Sequence, residues 1–148
     1  MSSISLNEFT DRIHEIMPVI IREFTKRQRD ELYTGKITLP QFFILNFLNR
    51  QGESRMTDLA HFMDVTTAAM TGIVDRLVKY GYLRRIFDPR DRRIIKIRLT
   101  AKGLRLVKKV CQHRRNMIMK IFSRISEEER AAYLKILMHI HDVLTKPR

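Results

Sequence analysis

Apolar residues recur every three or four positions at both ends of the chain, the spacing of one face of an α-helix. The N-terminal stripe predicts a long helix that begins at a capping sequence, Ser5 to Glu8, and ends near Asp30, before a break at residues 33–36. The C-terminal stripes predict a second long helix after Thr100 and a last helix that begins at the capping sequence Ser126 to Glu129. These stripes exceed what a small central module needs to cover its core, so we predict a homodimer built by the terminal helices.

The middle of the chain predicts shorter helices. A second capping box, Thr38 to Gln41 with proline in the first turn, begins a helix that runs to about Arg50. Residues 51–54 favour a turn, and residues 56–63 a short helix. After a turn at residues 64–66, Thr66 caps a helix over residues 67–80, which Gly81 ends in a left-handed conformation.

The helix over residues 67–80 has two different faces. We expect one face to be buried; its members are Ala69, Met70, Ile73, Val74 and Leu77. The opposite face is small, polar and basic; its members are mostly Thr67, Ala68, Thr71, Gly72, Asp75, Arg76 and Lys79. From Leu83 the period changes to two, which predicts an amphipathic β-hairpin whose tip is Asp88-Pro89-Arg90-Asp91.

Positive charge is concentrated on this helix and hairpin. The chain of 148 residues has a formal charge of +13, which favours nucleic acid or an anionic membrane surface as its partner. Between Arg76 and Arg98, nine lysines and arginines (positions 76, 79, 84, 85, 90, 92, 93, 96 and 98) oppose two acids, Asp88 and Asp91. Because helix and strand periods persist there, the pattern indicates a folded basic surface, and together the segments predict a winged helix-turn-helix.

Candidate DNA contacts follow from these positions. The short side chains of Thr67, Ala68 and Thr71 suit close approach to base edges in the major groove, and Arg76 suits guanine or a phosphate. Thr66 and Lys79 complete this set at the two ends of the helix. Arg90 and Arg92 at the hairpin tip are candidates for minor-groove insertion. Arg85 and Arg93 either contact phosphates or pair with Asp91 or Asp88 to shape the wing.

The sequence offers little support for a metal, catalytic or redox site. The spacing of His139 and His141 places the imidazoles on different sides of a helix, unlike a helical zinc site. There is no C-x-x-C, glycine-rich phosphate loop or G-x-S-x-G, so we expect no enzyme, metal or cofactor. Cys111, the single cysteine, lies on an apolar stripe where we expect a buried thiol, and redox sensing there is a minor alternative. With no signal peptide or membrane-spanning run in the sequence, we expect a soluble cytoplasmic protein.

Five short motifs carry a resemblance to a known family. They are Thr57-Asp58-Leu59-Ala60, Ile73-Val74-Asp75-Arg76-Leu77, Gly81-Tyr82-Leu83-Arg84-Arg85, Asp88-Pro89-Arg90-Asp91-Arg92-Arg93 and Leu99-Thr100-Ala101-Lys102-Gly103. In this order and spacing, residues 38–103 resemble the MarR family of bacterial and archaeal winged-helix transcriptional regulators. The terminal helices match that family only in length and pattern.

The resemblance implies a fold and a function. It implies one MarR-like domain over residues 1–148, mainly α with a small β-hairpin wing. Residues 38–103 would form the winged helix-turn-helix lobe, with a recognition helix at 67–80 and a wing at 84–98; residues 1–34 and 104–148 would form dimerisation helices. It also implies an obligate dimer on a short palindromic operator, most often as a repressor, and commonly a small-molecule effector.

Ligands in similar proteins often sit between the dimerisation helices and the DNA-binding lobe. On that basis the candidate lining residues are His14, Met17, His61, Phe62 and Arg114. The alternative is that such side chains simply fill the core.

Two other functions compete with a specific regulator. The basic run from Lys102 to Arg124 suggests a non-specific architectural or RNA-binding protein. A protein-interaction adaptor that has lost DNA binding is a further alternative, against which the arginines at 90, 92 and 93 argue.

Overall fold

The computed structural model describes residues 4–27 and 36–146, and six helices and three strands lie within them. In chain order they are α1 (Leu6–Arg27), α2 (Leu39–Gln51), β1 (Glu53–Arg55), α3 (Met56–Phe62), α4 (Thr67–Lys79), β2 (Leu83–Phe87), β3 (Ile95–Leu99), α5 (Ala101–Phe122) and α6 (Glu127–Thr145). The fold is therefore mainly α with a small antiparallel sheet, as the sequence predicts. The contacts divide the chain into two units, residues 1–113 and 114–148.

The first unit contains a contiguous apolar core. Its buried members are Ile37, Phe42, Ile44, Leu45, Leu48, Leu59, Ala60, Met70, Val74, Leu77, Tyr82, Leu83, Ile97, Leu106, Val107 and Val110. Fully burying one large aliphatic or aromatic side chain stabilises a fold by about 1.5–3 kcal/mol, so this cluster is the main source of the unit's stability. Since α5 contributes three of these residues, its first turns belong to the winged-helix core as well as to the long C-terminal helix.

The sheet has one strand more than the predicted hairpin. Its order is β1-β3-β2, and both pairs are antiparallel. The expectation that residues 51–54 are only a turn was wrong, because Glu53 and Ser54 start β1 and pair with Arg98 and Ile97 of β3. A strand of three residues is too short for its side-chain period to be recognised.

The termini of α4 follow the predicted capping chemistry. In the preceding turn Asp64 has a φ of 52°, and the Thr66 side chain accepts a hydrogen bond from the backbone N–H of Ala69 at 3.1 Å. After the helix, Gly81 has a φ of 78°, which is the predicted left-handed stop.

One residue on each of two helices is exposed where burial was predicted. The buried face of α4 is centred on Met70, Val74 and Leu77. Ala69 lies about 100° round the helix from Met70 and is exposed. Likewise α5 turns Val110 into the core, which leaves Cys111 exposed with its Sγ 3.9 Å from the Asn46 side-chain oxygen. The expectation of a buried thiol was wrong.

Helix α1 carries an apolar face with no buried residue. The Ser5 hydroxyl accepts from the Glu8 backbone N–H at 3.2 Å, but the Glu8 carboxylate pairs with Arg12 at 2.8 Å instead of returning to the cap. Only half of that predicted capping box therefore forms. The predicted helix end near Asp30 and the break at residues 33–35 lie outside the described residues.

The second unit contains the end of α5 and all of α6. Ser126 and Glu129 form the complete predicted capping box, and Phe122 stacks on Tyr133 with ring centroids 5.5 Å apart. No residue of α6 is buried. Its large exposed apolar residues are Tyr133, Leu134, Ile136, Leu137, Met138, Ile140, Val143 and Leu144. Nowhere in the described ranges is a helix long and apolar enough to cross a membrane.

Candidate nucleic-acid interface

Helix α4 presents a face of small and basic side chains. Opposite its buried side lie Ala68, Gly72, Arg76 and Lys79, all exposed. Within residues 4–27 and 36–146, the side chains of Arg76 and Lys79 form no ion pair. The face therefore combines room for close approach with cations available to a polyanion.

The three candidate threonines of this helix have different roles. Thr66 uses its side-chain oxygen as the helix cap. The Thr71 hydroxyl donates to the Thr67 carbonyl at 2.8 Å, and this side chain is half-buried. Thr67 is exposed, and its own hydroxyl has no hydrogen-bond partner in the described part of the chain. Of the three hydroxyl groups, that of Thr67 is the most available to a base edge.

Gly72 has no structural requirement in this lobe. It lies in the interior of α4, where glycine costs roughly 0.5–1 kcal/mol relative to alanine. A Cβ atom added there would meet no atom within 4 Å. The candidate list drawn from the sequence omitted this residue, although a glycine inside a helix, on its polar face, was a visible signal of close approach.

Arg85 joins the wing to α4. Its guanidinium pairs with the carboxylate of Asp75, and not with Asp88 or Asp91 as the sequence suggested. The two side chains retain 34% and 56% exposure, so the pair adds little stability. Its main effects are to link the base of the wing to α4 and to neutralise the acid on that helix.

A chain of ion pairs holds the wing to β1. The Lys96 ammonium lies 2.9 Å from Glu53 Oε1 and 3.1 Å from Asp88 Oδ2, and Arg98 lies 2.8 Å from Glu53 Oε2. The hydrogen bond from Lys96 holds the pKa of Glu53 below its ordinary value. The backbone N–H of Arg90, followed by Lys96, lowers the pKa of Asp88. Both acids stay ionised at neutral pH and are already paired.

The wing tip keeps its arginine side chains available. Asp88 Oδ1 accepts from the backbone N–H of Arg90 and Asp91 Oδ1 from that of Arg93, each at 2.9 Å. These acids shape the loop through backbone bonds. The side chains of Arg90, Arg92 and Arg93 form no ion pair with any described residue. Arg93 therefore meets Asp91 through its backbone N–H and not through its side chain. The guanidinium of Arg93 remains open to a phosphate.

Known proteins resemble this chain over most of its length. The sequence profile of the MarR family matches residues 37–95. The uncharacterized HTH-type transcriptional regulator YsmB of Bacillus subtilis is 30% identical over 122 residues, which cover 82% of this chain and 84% of that protein. The HTH-type transcriptional repressor MdtR of the same organism is 30% identical over 125 residues, which cover 84% of this chain and 81% of that protein. The chain belongs to the MarR family.

Structural similarity agrees with this assignment. A solved MarR family protein from Bacillus stearothermophilus superposes with a TM-score of 0.78 at 25% identity, covering 97% of this chain and 100% of that one. The chain is therefore a DNA-binding transcriptional regulator and not an enzyme.

The MarR-like motif Leu99 to Gly103 fastens the start of α5 to the end of α4. The Thr100 hydroxyl donates to the Gly81 carbonyl, and Lys102 Nζ donates to the Tyr80 carbonyl at 2.7 Å. At Gly103, an added Cβ would lie 2.2 Å from the Tyr82 carbonyl oxygen. Glycine is therefore required there, and these contacts hold the end of α4 against the start of α5.

The five effector candidates are dispersed over several elements of this MarR-family chain. His14 and Met17 are exposed on α1, His61 and Phe62 are exposed on α3, and Arg114 is half-buried on α5 in the second unit. Phe62 stacks on Phe47 with centroids 4.3 Å apart. A shallow surface pocket of about 240 Å³ lies in the first unit, and none of the five lines it; its walls are Leu48, Asn49, Gly52, Leu99, Thr100, Ala101 and Leu104.

Proposed function

We propose that this protein binds a palindromic operator as a homodimer, represses transcription by occluding a promoter, and leaves the operator when a small ligand binds. The observation that supports it most strongly is the division of the basic surface. The exposed face of α4 is small and basic, and Thr67 in the first turn of the same helix has an available hydroxyl, whereas the wing tip bears arginines that no described acid neutralises. Such an arrangement suits base recognition by the helix and phosphate contact by the wing.

The dimer is supported by each terminal helix considered by itself. In α1, Leu6 and Ile21 are 79% and 58% exposed, and in α6 Val143 and Leu144 are 69% and 78% exposed. Apolar faces of this length favour burial against a second copy. Light scattering of the free protein should give twice the monomer mass at micromolar concentration, and a monomeric mass would contradict the proposal.

Repression is supported by the relative MdtR, which is named as a repressor. A reporter gene placed behind the operator should be silent with the protein and active without it. The candidate effector-binding residues are carried over from the place where ligands often sit in similar proteins: His14, Met17, His61, Phe62 and Arg114. Screening small molecules for release of the operator complex would test this part of the proposal; His61→Ala should weaken the response to a genuine effector.

A set of three variants separates base recognition from phosphate contact. Thr67→Val removes the available hydroxyl at nearly constant volume and should cost about 0.5–1.5 kcal/mol on the operator, the value of a single hydrogen bond, with little change on random DNA. Thr71→Val removes a hydroxyl that already donates within the helix, so we expect a smaller loss of operator affinity than for Thr67→Val. Arg90→Ala should weaken binding to all sequences and lower the salt slope by about one.

Equal losses on operator and random DNA for Thr67→Val and Arg90→Ala would refute this division. A wild-type specificity ratio near one would instead favour the alternative of a non-specific architectural or RNA-binding protein. A specific regulator should prefer its operator by about 10³-fold or more.

A further inference from the structure

The distal half of the wing carries two large apolar side chains in solvent. Phe87 at the end of β2 is 64% exposed, and Ile95 at the start of β3 is 42% exposed. They face each other directly across the hairpin, since Phe87 is the register partner of Ile95. The two side chains therefore form a contiguous apolar pair.

This pair continues a face of the sheet that is buried closer to the core. Cross-strand partners lie on the same face, so Phe87 and Ile95 share theirs with Leu83, Arg85 and Ile97. Leu83 and Ile97 are 2% and 0% exposed and belong to the core cluster. The apolar stripe thus extends beyond the core, onto a part of the hairpin where the lobe has nothing to cover it.

The surroundings of the pair indicate what covers it. Arg85, bound to Asp75 of α4, lies on one side of it along the sheet face. On the other side the chain passes directly into the tip with Arg90, Arg92 and Arg93, whose side chains form no ion pair within the described ranges. The apolar pair therefore lies between α4 and arginines that form no ion pair. These arginines are complementary in charge to a polyanion, so the pair is continuous with the proposed DNA-binding surface.

We propose that Phe87 and Ile95 pack against the deoxyribose edges of the operator beside the minor groove, next to the phosphates that the tip arginines contact. Apolar side chains are well suited to the carbon-rich walls of the minor groove. This inference rests on the proposed DNA contact by the wing. It predicts that part of the wing's contribution to affinity is independent of salt, because covering apolar surface releases no counterions.

The test compares Phe87→Ala with Arg90→Ala across a salt titration, using the full-length protein and both operator and random duplex DNA. Phe87→Ala should lose about tenfold in affinity on both DNAs at every salt concentration, with an unchanged slope of log affinity against log salt. Ile95→Ala should lose about threefold, and Phe87→Leu should stay within about threefold of the wild type. Arg90→Ala should instead lower the slope by about one.

A control variant and the mass of the free protein distinguish the possible causes of a loss of affinity. Phe43 on α2 is 43% exposed, and Phe43→Ala should bind DNA as the wild type does. Wild-type affinity of Phe87→Ala, together with weakened binding by Arg90→Ala, would overturn this inference and leave the proposed function intact. Wild-type binding by both variants would overturn the role of the wing itself. A changed mass of free Phe87→Ala would show that the pair meets a second copy of the chain, which would also overturn the inference.

Discussion

Gly72→Ala tests why a glycine lies on the exposed face of α4. Either the folded lobe requires it, or DNA approaches the helix closely at this position. The glycine lies in the interior of α4 and has no left-handed backbone conformation. A Cβ added there has open space, with no atom within 4 Å. Nothing within the lobe thus opposes the substitution.

This geometry predicts a change in the free energy of unfolding and a change in operator affinity. Alanine is favoured over glycine in a helix interior by roughly 0.5–1 kcal/mol, so the free energy of unfolding of the isolated protein should rise by that amount. If the same face lies against base edges, the added methyl group has to be accommodated in a packed interface. Such overpacking costs about 1–3 kcal/mol, or roughly tenfold to a hundredfold in operator affinity.

Urea unfolding and operator titration of the same preparation measure both effects. We expect the variant to be more stable and to bind the operator more weakly, with a smaller loss on random DNA because phosphate contacts dominate there. Unchanged operator affinity would refute close approach at Gly72. An unchanged or lowered unfolding free energy would refute the inference that the lobe does not need this glycine.

Three further predictions concern the supports of the site. A double-mutant cycle of Asp75→Ala and Arg85→Ala in urea unfolding should give a coupling of about 0.2–1 kcal/mol, and zero coupling would show that the pair does not form. Gly103→Ala should lower the unfolding free energy by about 2–3 kcal/mol, since the new Cβ meets a backbone carbonyl; an unaffected stability would contradict that close contact. Because the pKa values of Glu53 and Asp88 are lowered from 4.5 and 3.8, their stabilisation is present above those values and is lost as pH falls through the lower folded pKa values. Thermal unfolding from neutral pH to about pH 3 should therefore show a larger loss for the wild type than for Glu53→Gln, and equal losses would contradict it.

Helix α4 could be predicted closely because its determinants are local. The Thr66 cap and the left-handed Gly81 lie at its two ends, and the spacing of Met70, Val74 and Leu77 orients it. Each of these signals depends on residues within a few positions of one another. The same reasoning applies to α2 and α6, whose capping boxes both form as predicted.

The contacts that complete the site depend on long-range pairing and could not be predicted in this way. Glu53 reaches Lys96 only because β1 adds to the hairpin, and nothing in its local sequence indicates that strand. Arg85 pairs across elements with Asp75, whereas local spacing favoured the acids of the hairpin tip. The availability of the tip arginines has both local and cross-strand causes. Asp88 and Asp91 accept from backbone N–H groups two residues further along the chain, and Lys96 binds Asp88 across the hairpin.

Sequence selection from fragmented genomic DNA of the host tests the central claim most directly. Selected fragments would then be titrated at several salt concentrations with the wild type and with Thr67→Val. We predict enrichment of one inverted repeat, bound by a dimer about 10³-fold or more above random DNA, and a lower preference for it in Thr67→Val. Uniform enrichment with steeply salt-dependent binding, unchanged in Thr67→Val, would contradict a sequence-specific regulator that recognises its operator through α4.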